Sequence, residues 1–196
     1  MGVTSQLGFF ESEQASAPRW PPGFKYAPEI ITASEERRLI DDFQALALKE
    51  FQFHGFTGNR RTMSFGWSYD FNTESLRKAD EIPPFLLDLR RIAARFAGVD
   101  AERWQQALVI EYRAGAGIGW HRDKMVFGEI VGVSLLAPCV FRLRRKVDDA
   151  WERVNITAEP RSAYLLSGEA RTDWEHSIPP VDALRYSVTF RNLRER

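Results

Sequence analysis

A chain of 196 residues with 44% apolar and 28% charged content has the length and composition of one ordinary soluble domain, large enough to bury a core. Lysine plus arginine equals aspartate plus glutamate at 27 each, so no global basic field advertises nucleic acid, although a local basic face stays open. A single cysteine, Cys139, excludes an internal disulfide and a zinc–thiolate cluster and points to a reducing, cytoplasmic setting.

Residues 1–19 are polar and aperiodic, with no basic start followed by an apolar run. A loose extension without signal peptide is expected there, followed by one domain over 20–196. Pro21-Pro22-Gly23 is a turn into an extended piece, Phe24 to Ile31. Thr32-Ala33-Ser34-Glu35 has capping-box spacing, and Leu39, Ile40, Phe43, Leu46 and Ala47 then share one helical face. A second helix starts near Pro84, carries Phe85, Leu86, Leu89, Ile92, Ala93 and Phe96, and ends at Gly98. Between the helices, Arg60 to Phe71 alternates arginine, aromatic and small polar residues, as a ribbon or hairpin does.

From Gln106 the period turns strand-like. Expected strands are Ala107–Tyr112, Gly119–His121, Glu129–Leu136, Val140–Arg145, Arg153–Thr157, Ala163–Leu166, Trp174–Ser177 and Arg185–Asn192. The apolar region from Ile130 to Phe141 is too short and too interrupted for a bilayer, so no membrane is indicated. The predicted fold is mainly β: a double-stranded β-helix, or jelly roll, over 106–196, preceded by an α/β N-terminal extension over 20–105.

His121-x-Asp123, with His176 far downstream on another strand, can cap one face of an octahedral metal and leave the other open. The bland alternative for the pair alone is a surface His–Asp contact on a turn. A glycine-rich approach from Gly115 to Gly119 and a distant matching histidine favour the metal, while His54 lacks a partner of this kind. On the last strand Arg185, Ser187, Thr189 and Arg191 share a face. A polar stripe of this kind is either a solvated edge or, beside a metal, a seat for a small acid.

These residues resemble the AlkB-like dioxygenases, over roughly Ala107 to the C-terminus. The resemblance rests on Tyr112-x-x-Gly115 leading to His121-x-Asp123, on Ser167-Gly168-Glu169-Ala170-Arg171 followed by Trp174 and His176, and on Arg185-Tyr186-x-Val188-Thr189-Phe190-Arg191. It implies that His121, Asp123 and His176 ligate Fe(II) and are catalytic. It implies that Arg185 takes the distal carboxylate of 2-oxoglutarate, Arg191 the end nearer the metal, and that Tyr112 hydrogen-bonds the co-substrate. O2 is the remaining co-reactant. The implied activity is oxidative demethylation of alkylated DNA or RNA bases, with release of formaldehyde, succinate and CO2. Two positions depart from the family pattern. Ile110 stands where an asparagine is common, and Met125 where the repair members carry an acidic residue that reads the damaged base.

Trp67 and Tyr69 are candidates to stack on a substrate base, and Met125 to pack on it. Arg60, Arg61, Arg142, Arg144, Arg145 and Lys146 are candidate phosphate contacts, Arg61 standing with Trp67, Tyr69 and Met125 in the expected substrate set. Ordinary packing of the ribbon and a solvated strand face are the alternatives. A second enzymatic reading keeps the iron chemistry with a protein side chain or small molecule as substrate. A third, from another class, is a jelly-roll binding module without catalysis. A monomer with no protein partner is expected.

Overall fold

The computed structural model describes residues 20–53 and 56–194; the expected loose extension and His54 lie outside the described residues. Three layers are present. Two helices cover one face of a seven-stranded sheet, and a four-stranded sheet closes over the other face.

The elements in chain order are β1 (Phe24–Ala27), α1 (Ala33–Gln44), β2 (Lys49–Phe53), β3 (Phe56–Phe65), β4 (Trp67–Asp70), β5 (Ser75–Lys78) and α2 (Pro84–Ala97). The β core continues with β6 (Gln106–Tyr112), β7 (Ile118–His121), β8 (Phe127–Leu135), β9 (Cys139–Val147), β10 (Ala150–Ala158) and β11 (Ala163–Leu166). It ends with α3 (Gly168–Thr172), β12 (Glu175–Ile178) and β13 (Arg185–Leu193). The major sheet runs β1-β11-β8-β13-β6-β3-β2 and the minor sheet β10-β9-β12-β7, while β4 and β5 pair as a separate ribbon.

Local chemistry accounts for the helices. The Thr32 side chain accepts from the Glu35 N–H while Glu35 reaches back to the Thr32 N–H, completing the capping box of α1. Pro84 opens α2, and left-handed Gly98 closes it with bonds to Ala94 and Arg95. Leu39 and Phe43 of α1, with Leu86, Leu89 and Ala93 of α2, pack on Val109, Val131, Val133, Val188 and Phe190. The opposite face of the major sheet carries Ile110, Ile130 and Leu166 against Phe141, Leu143 and Ile178 of the minor sheet. Strand alternation therefore divides every central strand between a helix-facing core and a space between the sheets.

The sequence-predicted ribbon from Arg60 to Phe71 is divided rather than continuous. Arg60 to Phe65 belong to the major sheet, pairing with Tyr112 to Ala107 of β6. Trp67 to Asp70 pair with Lys78 to Ser75. The break is Gly66, at φ +73, where a Cβ would stand 2.1 Å from the Gln105 carbonyl oxygen. Only glycine passes there, and the chain leaves the sheet. The strands β2 and β5 and the short helix α3 carry no period long enough to be read from sequence.

Candidate metal and co-substrate site

The minor sheet brings the two histidines together. His121 on β7 and His176 on β12 are direct register partners, with ring centroids 4.2 Å apart. Asp123 follows two residues after His121 in the loop to β8. One ligand atom from each of the three residues lies within 4.8 Å of the other two, a group that could hold a metal ion.

Second contacts fix the ligands. The Gly119 carbonyl can only accept, so His121 donates from Nδ1 at 2.9 Å, which leaves Nε2 as the nitrogen that can turn to a metal. Burial pushes the His176 imidazole down to about 3, with neighbouring His121 in the same sense, so it is neutral. The approach of His176 Nε2 to Asp123 Oδ2 at 3.4 Å is then a convergence of lone pairs rather than an ion pair. Burial raises the Asp123 carboxyl, but Arg191, His176, His121 and Arg171 together outweigh it and hold the group ionised, well below the usual carboxylate range. A neutral imidazole at His176 and an ionised carboxylate at Asp123 are the protonation states a metal requires of them.

The loop carrying Asp123 is strapped from behind. The buried guanidinium of Arg171 on α3 donates from Nε to the Gly128 carbonyl at 2.7 Å. Its Nη2 meets the carbonyls of Phe127, Lys124 and Asp123 at 2.8, 2.9 and 3.2 Å. Nothing in the sequence period announces this role, although the residue falls in the stretch that carries the family resemblance.

Arg185, Ser187, Thr189 and Arg191 stand on the face of β13 that looks between the sheets, opposite Tyr112, Ile110, Leu108 and Gln106 of β6. Arg185 is 1% exposed and stacks over the Tyr112 ring at 4.6 Å. Its Nη2 donates to Ser134 at 2.9 Å, but Nε and Nη1 are buried with no partner among the described residues. Two unpaired donors on a buried guanidinium fit the carboxylate of a small acid, the group expected at this position. Arg191 donates to Asp123 Oδ1 at 2.7 Å and to Gln106 Oε1 at 3.0 Å.

Tyr164 is a site residue the sequence reading passed over. Its ring lies across Gly132, where a Cβ would approach within 2.2 Å, and stacks on Phe141 at 4.3 Å. Burial raises its phenol, so it stays protonated beside Tyr112 and Arg185. The signal available was Gly132 itself, since a glycine inside a strand marks a close approach.

The substrate candidates are placed unevenly. Trp67 and Tyr69 lie on β4, with Lys78 over Trp67 at 4.2 Å and Lys124, next to Asp123, over Tyr69 at 5.2 Å. Met125 is 56% exposed on the same loop. Arg61 is not brought to this set. Alternation turns it to the helix-facing side, where its guanidinium forks onto Glu111 at 2.8 and 2.6 Å, and Arg60 takes the register position facing the site. Arg142 and Arg144 lie on the outer face of the minor sheet against Trp120, and Arg145 is held by Glu152 and Glu169.

The model of the 2OG-Fe(II) oxygenase superfamily matches residues 24–191. The chain is 28% identical over 199 residues to the alkylated DNA repair protein ALKBH8 homolog of Arabidopsis thaliana, covering 88% of this chain and 56% of that protein. It is 24% identical over 192 residues to the Xenopus tropicalis tRNA (carboxymethyluridine(34)-5-O)-methyltransferase alkbh8, covering 91% of this chain but 29% of that one. It thus spans little more than half of the first relative and under a third of the second. The solved structure of OsALKBH1 superposes with a TM-score of 0.65 at 17% identity, over 89% of this chain and 98% of that one, which supports the fold. With the His–Asp–His triad in place, the chain belongs to the 2OG-Fe(II) oxygenase superfamily, among its AlkB homologues, whose cofactors are Fe(II) and 2-oxoglutarate.

Proposed function

We propose that this protein oxidatively demethylates alkylated bases of DNA or RNA. The observation that carries the reading is the placement of the aromatic ribbon. Lys124, one residue beyond the ligand Asp123, lies over Tyr69 and bonds Glu74 at 3.3 Å, so ribbon and metal loop meet at one mouth. Aromatic faces flanked by lysines suit a base drawn from its stack, together with its phosphates. The names of the Arabidopsis and Xenopus relatives, which refer to alkylated DNA and to tRNA, agree with such a substrate.

His121, Asp123 and His176 would hold Fe(II). Arg185 and Tyr112 would take the distal carboxylate of 2-oxoglutarate, and Arg191 would stand by its other end. Metal and co-substrate, when bound, supply oxidation of a C–H bond by O2, with 2-oxoglutarate leaving as succinate and CO2. An N-methyl group so hydroxylated breaks its C–N bond and departs as formaldehyde. The chain's own part is to orient one methyl group and exclude water, with Trp67, Tyr69 and Met125 lining the approach. Met125 offers a cationic base only the weak acceptor of a thioether and no charge, so recognition there rests on packing. A second reading, oxidation of a protein side chain or small molecule, draws support from the same methionine and from the balanced charge.

The test is incubation of anaerobically purified protein with Fe(II), 2-oxoglutarate and O2, with and without methylated single-stranded DNA, RNA or free methylated bases. Succinate formation stimulated by an oligonucleotide, with matching formaldehyde, is the expected outcome. Succinate that no oligonucleotide stimulates transfers the assignment to the second reading. A protein that binds iron and yields no succinate sinks both.

A further inference from the structure

We infer that Gln106 is a positioning residue that ties the aromatic ribbon to the metal and co-substrate site. Gln106 is 2% exposed and begins β6 directly opposite Arg191. Its Oε1 accepts from Arg191 Nη1 at 3.0 Å, and its Nε2 donates to the Trp67 carbonyl at 3.0 Å. Arg191 donates in turn to Asp123 Oδ1 at 2.7 Å. Three bonds therefore connect the first residue of the ribbon to a metal ligand.

The direction of the relay is fixed by chemistry. A guanidinium only donates and a peptide carbonyl only accepts, so the amide between them has one permitted orientation. A primary amide carries its acceptor and its donor on separate atoms of one neutral side chain, and Gln106 has the reach to present one to each partner. Its location follows from the break at Gly66. The last β3 residue, Phe65, pairs with Ala107, so the backbone turns away just where Gln106 would have met a further strand partner. The side chain spans that gap and holds the departing ribbon by its Trp67 carbonyl.

An apolar residue would fill the same volume, but would free the Trp67 carbonyl and leave Arg191, whose Nε is already buried with no partner among the described residues, with a second unpaired nitrogen. Occupancy of the site, by fixing Arg191, thereby stiffens the surface that the proposed substrate meets. This use of the relay rests on the ribbon receiving substrate; the relay itself does not.

The experiment is hydrogen–deuterium exchange on the full chain, with and without Mn(II) plus N-oxalylglycine as an inert co-substrate analogue. In the wild type, loading slows exchange of the amides from Trp67 to Lys78 several-fold. Gln106→Glu still accepts from Arg191 but repels the Trp67 carbonyl, and Gln106→Met keeps the volume and breaks both links. In each, ribbon exchange is faster before loading and its response to loading is lost. A merely structural glutamine would speed the basal exchange and leave the response intact, which overturns the inference. So does a wild-type ribbon indifferent to loading, a result that needs no variant to fold. A ribbon that responds in a protein no oligonucleotide stimulates separates failure of the nucleic-acid reading from failure of the relay.

Discussion

Arg185 is the residue whose state says most about the site. A buried guanidinium with two unpaired nitrogens carries a desolvation cost that its bond to Ser134 and its stacking on Tyr112 only partly offset. The cost is recovered when a carboxylate arrives. Arg185→Met is therefore expected to leave the melting temperature of the ligand-free protein equal to or above that of the wild type. It should weaken 2-oxoglutarate binding by about 2–3 kcal/mol, on the order of 100-fold in Kd. Thermal melts and calorimetric titration, with Zn(II) in place of iron, check both signs together. A variant that melts well below the wild type yet keeps its affinity would assign Arg185 to packing alone. This residue was legible in sequence because the polar stripe on an otherwise apolar last strand is local. Gln106, Arg171 and Tyr164 were not, because their partners lie 39 or more residues away for Gln106 and Arg171, and 32 for Tyr164 over Gly132.

At the scale of elements, the loop between β7 and β8 is the piece that a single side chain governs. Arg171 converges on four backbone carbonyls of that loop and the start of β8, which a planar fork can do and an ammonium cannot. Arg171→Lys keeps the charge and loses the geometry. Metal affinity should fall about 10–100-fold, the usual cost of losing an outer partner of a ligand, while the His121–His176 strand pair is retained. Competition of Mn(II) against a chelating dye measures it, and unchanged affinity would show that the loop holds Asp123 unaided. The same scale explains what alternation could and could not show. The strands from β6 to β13 were located within three residues at their ends, β9 because its buried positions alternate and β6, β8 and β13, covered on both faces, because they form β-rich runs bounded by turns. Alternation could not show that Gly66 divides the ribbon, and so it assigned Arg61 to the substrate side. One residue of register separates Arg61 from Arg60, and only pairing with β6 decides which of them faces the site.

Over the whole molecule, one buried carboxylate joins sheet and helix layers on the side away from the metal. Glu111 of β6 takes the fork of Arg61 from β3, a bond from Arg113, and the Tyr186 hydroxyl of β13 at 3.0 Å. The Tyr186 ring packs in turn on Phe43 of α1, with centroids 5.5 Å apart. The Arg61 fork lowers the Glu111 carboxyl below its ordinary range despite the cost of burial. A carboxylate whose folded value is depressed adds stability above its unfolded value and loses it as pH falls through the folded one. Tyr186 works in the opposite sense. Burial, and then its bond to Glu111, raise the phenol to about 12, so its contribution is whole below the unfolded value near 10 and is lost as pH climbs towards 12. Glu111→Gln should cost about 2–3 kcal/mol at neutral pH, less than a fully buried pair because Arg61 is partly exposed. Because the substitution removes the acid-sensitive group, the gap between variant and wild type should narrow below about pH 4.5, where the carboxyl of the unfolded chain takes up its proton, and close as pH falls through the depressed folded value. On the alkaline side the variant should decline less steeply from pH 10, since its Tyr186 faces no carboxylate. Melting curves from pH 3 to 11 on both proteins decide it. Curves that run parallel through both limbs would mean that this cluster fills space between the layers and holds no charge-dependent share of the fold.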